Sequence, residues 1–171
     1  MPGMILTGDV NLMHIDDARV PFGRVRDELR AADIVFSNLE CCLYDPPHAH
    51  SLEDEGFFAA PGIGGEALCD AGIGVVGIAN NVNYGAAAIA ASIYRLGELG
   101  IPFTGAGANA AAARAPAIVE RHGIPTASCS AARSTGRPIT RQAPTRPVSR
   151  SSVRTPPIRY RSTRRAPSSR R

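Results

Sequence analysis

The sequence predicts an α/β fold, a layered sheet with flanking helices, and three observations carry that prediction. Short apolar runs of strand length recur and end in Gly, Asp or Asn, as in "MILTGD", "DIVFSNLE" and "IGVVGIAN". Stretches with helical spacing of apolar side chains separate these runs. Strands and helices therefore alternate, and connections this short favour parallel, right-handed crossovers. Hydrophobic residues make up 44% of the chain and aromatics only 5%, with no Trp, so the core must rest on Ala, Val, Ile and Leu.

The elements follow in order. "MILTGD" is a first strand that breaks into a loop at Gly8 and Asp9. In "PFGRVRDELRAA", Phe22, Val25 and Leu29 fall on one helical face, and Pro21 suits the first turn. "DIVFSNLE" supplies a second strand through Ile34, Val35 and Phe36. From Cys41 to Ala60 the pattern is irregular around Pro46 and Pro47, which predicts a long loop with a short strand near Phe57 and Phe58. "IGGEALCDAG" is a short helix with Ile63, Ala67, Leu68 and Ala71 inward and Gly72 as its stop.

"IGVVGIAN" is the next strand. "AAAIAASIYRLGELG" is the clearest helix; Ile89, Ile93 and Leu96 share a face, and Gly100 followed by Pro102 ends it. "PFT" predicts a short strand and "NAAAARAP" a turn or two of helix. "PAIVERHGIPTAS" reads as a hairpin turning at His122 and Gly123.

Charge divides the chain. All fifteen acids lie at or before Glu120 and face only seven arginines up to residue 130, so that part carries a net charge of −8. The rest holds twelve arginines and no acid. With scattered Pro and few apolar side chains, it lacks the surface to offset ordering entropy. The expected organisation is a partial domain over 1–130 and a disordered basic tail over 131–171. All 19 cationic residues are Arg, consistent with GC-rich coding, so a frameshift near Ile124 to Ala132 would account for the change in composition. The tail would attract nucleic acid through counterion release only, without specificity, because it lacks aromatic stacking platforms.

No apolar run is long enough to span a bilayer, and the N-terminus has no basic region followed by an apolar core. The four cysteines, two of them adjacent at Cys41 and Cys42, do not form a secreted disulfide framework. A cytoplasmic location with reduced thiols is the expectation.

Three strand ends carry oxygen-bearing side chains: Asp9 and Asn11, then Asn38 and Glu40, then Asn80, Asn81 and Asn83. Ligands of open α/β sheets bind at the carboxyl ends of strands. If these three strands are neighbours, their tips share one patch. An all-oxygen donor set suits Mg²⁺ or Mn²⁺, whereas zinc or iron would call for His as well. Each residue also has a plainer role. Asp9 fits a turn, Glu40 a solvated loop, and Asn80 or Asn81 a helix entry, where Asn is a favoured cap. Both roles are compatible if one Asn caps and the other binds. Cys41 and Cys42 with His48 and His50 lack the spacing of structural zinc sites. "TGAGAN" has only a lone Gly-x-Gly, which fits a strand-to-helix turn better than a phosphate cradle.

"LTGDVNL", "ADIVFSNLE", "GIANNVNYG" and "GAGANAAAARAPAIVERHG" resemble, in order and spacing, the bacterial capsule-synthesis (CapA-type) family, over about Met4 to Gly123. That family is linked to capsule and poly-γ-glutamate production and is related to calcineurin-like metallophosphoesterases. The resemblance implies a metallophosphoesterase-like layered sheet, incomplete at its C-terminal end. It also implies a metal-dependent phosphoesterase-like activity, a divalent metal cofactor (Mn²⁺ or Mg²⁺ before Zn²⁺) and partners in the capsule and polyglutamate synthesis machinery.

Carried over residue by residue, Asp9 matches the first metal-binding aspartate, and Glu40 matches the acid after the second strand. Asn80 and Asn81 match the asparagines of the family's "ANNH" motif. Val82 replaces the histidine of that motif, the stretch before "YG" is shorter, and no His follows His122. The implied metal cage therefore lacks its imidazoles, so weak metal binding with little or no turnover is expected. A non-catalytic scaffold for polymer synthesis is the alternative from another class, and a non-specific nucleic-acid binder a third.

Overall fold

The computed structural model describes residues 3–83 and 85–131. Along the chain run β1 (Met4–Val10), α1 (Arg26–Ala31), β2 (Ile34–Leu39), β3 (Cys42–Leu43), β4 (Phe58–Ala59), α2 (Pro61–Asp70), β5 (Val75–Gly77), α3 (Ala86–Glu98), β6 (Phe103–Thr104), α4 (Ala110–Arg114), β7 (Ala117–Arg121) and β8 (Ile124–Ser128). Four strands form an all-parallel sheet in the order β1-β2-β5-β6. The predicted α/β class is thus observed, and the strands ending in Asp9, Asn38 and Asn80 are direct neighbours. A parallel β3–β4 pair and an antiparallel β7–β8 pair stand beside this sheet.

The strand order advances in one direction. Right-handed crossovers then send every intervening helix to the same face. The packing agrees, because Val35 and Val76 share one buried cluster with Leu29 of α1, Leu68 of α2 and Leu96 of α3. Side chains alternate along a strand, so Ile34 and Val75 point the other way. They meet Ala117 and Val119 of β7, with Phe36 packed alongside. The hairpin thus covers the second face of the sheet.

The hairpin crosses that face from end to end and back. It leaves the carboxyl edge where the Thr104 hydroxyl donates to the Ala115 carbonyl at 2.9 Å. It turns at His122 and Gly123, whose φ values of 53° and 73° suit a tight hairpin turn. At this amino edge His122 Nε2 lies 2.6 Å from Asp33 Oδ1, and the Gly3 N–H donates to Asp33 Oδ2 at 2.6 Å. One carboxylate thereby ties the hairpin turn to the start of β1. The chain then returns until Ser130 lies over Gly77, where an added Cβ would come within 2.8 Å of Ser130 Oγ.

Several local expectations change. The first helix begins at Arg26, not near Pro21, because the preceding residues close four-residue turns instead. Gly23 N–H donates to Val20 O and Val25 N–H to Phe22 O. Phe22 is buried as expected, but Val25 is 49% exposed. In α3 the buried side chains are Ala88, Ser92 and Leu96, while Ile89 and Ile93 are only half-buried. Ser92 faces inward because its hydroxyl accepts the Leu43 N–H at 2.8 Å and donates to the Ala88 carbonyl at 2.9 Å. That bond holds β3, which the irregular pattern after Cys41 does not predict. The compact unit runs Met1–Gly136. The expected tail over 131–171 lies, from residue 132, outside the described residues.

The Asp33 clasp sets an acid limit on the fold. The hydrogen bond from His122 and then that from the Gly3 N–H hold its carboxyl below the usual aspartate value. A carboxylate with a lowered folded pKa stabilises above its unfolded value, and that contribution disappears as pH falls through the folded value. Thermal melts between about pH 5 and pH 2 should therefore fall less steeply for Asp33→Asn than for the parent. Parallel slopes would remove this role.

Candidate functional site

Asp9 owes its position to an irregularity in β1. Met4, Ile5 and Leu6 pair one-to-one with Ile34, Val35 and Phe36, but the next registered pair is Asp9 with Asn38. Thr7 and Gly8 therefore oppose Ser37 alone, which is a β-bulge. Thr7 anchors it, donating its hydroxyl to Ser37 Oγ at 2.8 Å. Ser37 is fully buried. Beyond the bulge, Val10 and Leu39 enter the helix-side core while Asp9 is exposed at the carboxyl edge.

Amide side chains continue from Asp9 across the edge. Asn38 Nδ2 donates to Asp9 Oδ1 at 2.7 Å. Asn80 Nδ2 donates to the Leu39 carbonyl at 2.8 Å and approaches Asn38 Oδ1 at 3.5 Å. Asn80 Oδ1 accepts the N–H groups of Val82 at 3.2 Å and Asn83 at 2.9 Å. Asn83 Nδ2 donates to the same Leu39 carbonyl at 2.8 Å and to Ile78 O at 3.3 Å. Two neutral amides thus converge on the carbonyl that precedes Glu40. The Glu40 N–H in turn donates to Val10 O at 2.8 Å, which fixes its backbone beside β1.

The double asparagine divides its work, but not by capping the helix. Helix α3 starts after Gly85 without a side-chain cap. Asn80 instead closes the turn that follows β5, and both lone pairs of its oxygen are taken. Asn81 is exposed and makes no hydrogen bond among the described residues. Asn11 is likewise a turn residue, with its Oδ1 accepting the Met13 N–H at 2.9 Å. Asn83 Oδ1 is buried and has no donor among the described residues.

Glu40 carries the electrostatic signature of the edge. Burial, then the charge of Asp9, raises its carboxyl above the usual glutamate value. No Arg or His forms an ion pair with either acid among the described residues. The cysteines beside Glu40 are inert. Cys41 is fully buried and its thiol is pushed up to about 12, chiefly by desolvation, while burial also raises that of Cys42.

Three of the four imidazoles lie elsewhere, and the fourth, His14, is exposed with φ 59° in the loop that follows β1. His48 pairs with Glu55 at 2.6 Å, His50 stacks on Phe58, and His122 belongs to the amino-edge clasp. Val82 serves the turn through its backbone, donating to Asn80 and accepting the Phe57 N–H at 3.0 Å. Among the described residues no three His, Cys, Asp or Glu side chains converge where they could hold a metal. The edge offers two carboxylates and amides.

Next to the asparagine turn lies a cleft of about 320 Å³ at the carboxyl ends of β5 and β6, lined in part by Asn80, Asn83, Arg114 and Ser130. Gly105 shapes it. With φ +101°, it brings the exit of β6 so close to Ala79 that a Cβ would lie 2.7 Å from the Ala79 backbone nitrogen. The glycines of "TGAGAN" therefore serve close packing, as the strand-to-helix reading expects.

The parallel sheet, with an acid-and-amide cluster at its carboxyl edge, defines an α/β protein whose polar cluster lies where ligands of this fold class usually bind. A family model fixes the family: the chain belongs to the bacterial capsule synthesis protein PGA_cap family, which matches over residues 3–166. No curated protein matches the chain. The family match continues past residue 131 into the arginine-rich segment.

Two substitutions separate structural from functional roles here. Asn80→Ala removes the acceptor of two N–H groups and a donor to Leu39 O, and should cost about 1–3 kcal/mol in denaturant unfolding. Asn81→Ala should stay within about 0.5 kcal/mol of the parent. Equal losses would show that the two amides are not specialised. Asp9→Asn keeps an acceptor for Asn38 but removes a charge that disfavours ionised Glu40, so its Tm at neutral pH should rise by about 1–3 °C. A fall in Tm would mean that Asp9 stabilises the fold.

Proposed function

We propose that the carboxyl edge binds a divalent cation, Mn²⁺ or Mg²⁺ before Zn²⁺, and that it is a metallophosphoesterase-like site with little or no turnover, acting in capsule or poly-γ-glutamate synthesis. The observation that carries this reading is the pair Asp9 and Glu40, two carboxylates whose charges repel each other and that form no ion pair among the described residues. A divalent ion would relieve that repulsion, and hard oxygen donors suit Mg²⁺ or Mn²⁺. Asn81, whose amide makes no hydrogen bond among the described residues, is the next oxygen donor in sequence after Asn80. In this reading Asn80 holds the turn, its oxygen occupied by backbone N–H groups.

Such a cation supplies Lewis-acid activation of a phosphoryl oxygen and of water. The chain's own residues then bind and orient. Val82 stands where the family motif has His, so that position has no imidazole to carry a proton. The scaffold alternative draws on the same observation, since a site that holds a cation and an anionic ligand without proton transfer is a binding site.

Titration of the full chain with Mn²⁺, followed by EPR of the free ion, tests the reading. The expected result is weak, saturable binding that Asp9→Ala weakens at least about tenfold. Hydrolysis of p-nitrophenyl phosphate should stay near background. Mn²⁺ binding indifferent to Asp9→Ala would sink the cation site. Robust hydrolysis abolished by Asp9→Ala would overturn the expected inactivity.

A further inference from the structure

The described part of the acidic domain carries eight more acids than arginines, yet among the described residues the only charged side chain lining the carboxyl-edge cleft is a cation, Arg114. Of the other six arginines among the described residues, four have partners for their side chains; Arg19 and Arg24 are exposed without one but do not line the cleft. Arg26 pairs with Asp70 at 3.5 Å and Arg95 with Glu98 at 3.2 Å, while Arg30 and Arg121 donate to backbone carbonyls. Arg114 makes no hydrogen bond or ion pair among the described residues. Its plain role would be a cation at a helix C-terminus, but α4 has five residues and little dipole to complement.

The position of Arg114 is set on both sides. Asn109 caps α4, its Oδ1 accepting the Ala112 N–H at 2.9 Å. Immediately after the helix, the Ala115 carbonyl is held by the Thr104 hydroxyl. The guanidinium is therefore carried on a short segment tethered at each end, beside β6. Across the cleft stand Asn80 and Asn83, which belong to the Asp9–Asn38–Asn80 network, and Ser130, which lies over Gly77. Gly77 is the registered neighbour of Asn38. The cleft and the acid pair are thus adjoining parts of one edge.

We propose that Arg114 is the anion-recognition residue of this cleft and that the ligand it receives is an oxyanion, a phosphoryl or carboxylate group. A guanidinium presents parallel N–H donors that match such a group in bidentate fashion, and Ser130 and the amides add neutral partners. A volume near 320 Å³ holds one small anionic group with its immediate substituents. The proposal deepens the reading of the edge as a ligand site, but it does not require the cation.

NMR titration of the full-length ¹⁵N-labelled chain in EDTA tests it, with inorganic phosphate and glutarate as separate probes. The twelve arginines after residue 130 also attract anions, so the readout must be site-resolved, at the amides of Gly105, Ala113 and Ser130 and at the Arg114 side-chain N–H. The expected result is a saturable shift at these positions whose apparent Kd rises at least about tenfold in Arg114→Ala and recovers in part in Arg114→Lys. A response to phosphate alone assigns a phosphoryl group, to glutarate alone a carboxylate, and to both a general oxyanion cleft. No saturable shift with either probe, or a shift unchanged in Arg114→Ala, overturns the proposal. Because EDTA removes divalent ions, failure of the cation reading leaves this outcome unaffected, and the converse holds for the Mn²⁺ titration.

Discussion

One extra residue in β1 decides which way Asp9 points. Were the pairing of Leu6 with Phe36 continued without interruption, Asp9 would stand opposite Leu39, which is fully buried against the helix layer. An unpaired carboxylate in that position would cost several kcal/mol or give up its charge. A register shift of one residue exchanges the two faces of a strand. The bulge at Thr7 and Gly8 makes that exchange at the end of the strand. Val10 goes into the core and Asp9 comes out of it. The price is one irregular step in the ladder, offset by the Thr7–Ser37 hydroxyl bond at the bulge itself.

The neighbouring strand ends solve a related problem with amides. The chain leaves β5 in a turn whose N–H groups need acceptors, close to the Leu39 carbonyl at the end of β2, which accepts donors. Asn is suited to this place because its side chain both accepts and donates without charge. Asp could accept but not donate, and it would add a third negative charge beside Asp9 and Glu40. Used in this way, Asn80 and Asn83 fix the peptide from which Glu40 projects. Fold stability and placement of the acid then rest on the same bonds. Asn81, next in sequence, contributes none of them.

Much of this is legible in the sequence, and the gaps have physical causes. The strand and helix order follows from periodicity and breakers, and the convergence of three strand ends follows from the parallel sheet that this order implies. Gly72 and the His122–Gly123 turn are local features, so local reasoning finds them. The bulge leaves no local trace, because "LTGDVN" is compatible with either register and only pairing with β2 selects one. Ser92 reads as a surface residue of an amphipathic helix until Leu43 arrives with an unsatisfied N–H. Arg114 sits in an alanine-rich stretch with no motif around it, and only the folded edge reveals that it lines one cleft with asparagines of the turn after β5. Spacing alone also cannot divide Asn80 from Asn81, since adjacent residues carry the same signal until the hydrogen bonds assign them.

The charges along the edge, taken together, argue for a ligand of mixed character. Two acids lie at the ends of β1 and β2, and a single guanidinium lies beyond β5, with neutral amides between them. A lone cation would find donors only at the first end, and a lone anion only at the second. An anion accompanied by a divalent cation matches both, with the amides spanning the interval at little electrostatic cost. Three of the four histidines are committed to a loop, a stacking contact and the opposite end of the hairpin, and Cys41 and Cys42 are buried with raised thiols. Position 82 is held by its backbone on both sides, so the turn does not depend on which side chain it bears. Valine at this position brings no titratable group to the turn.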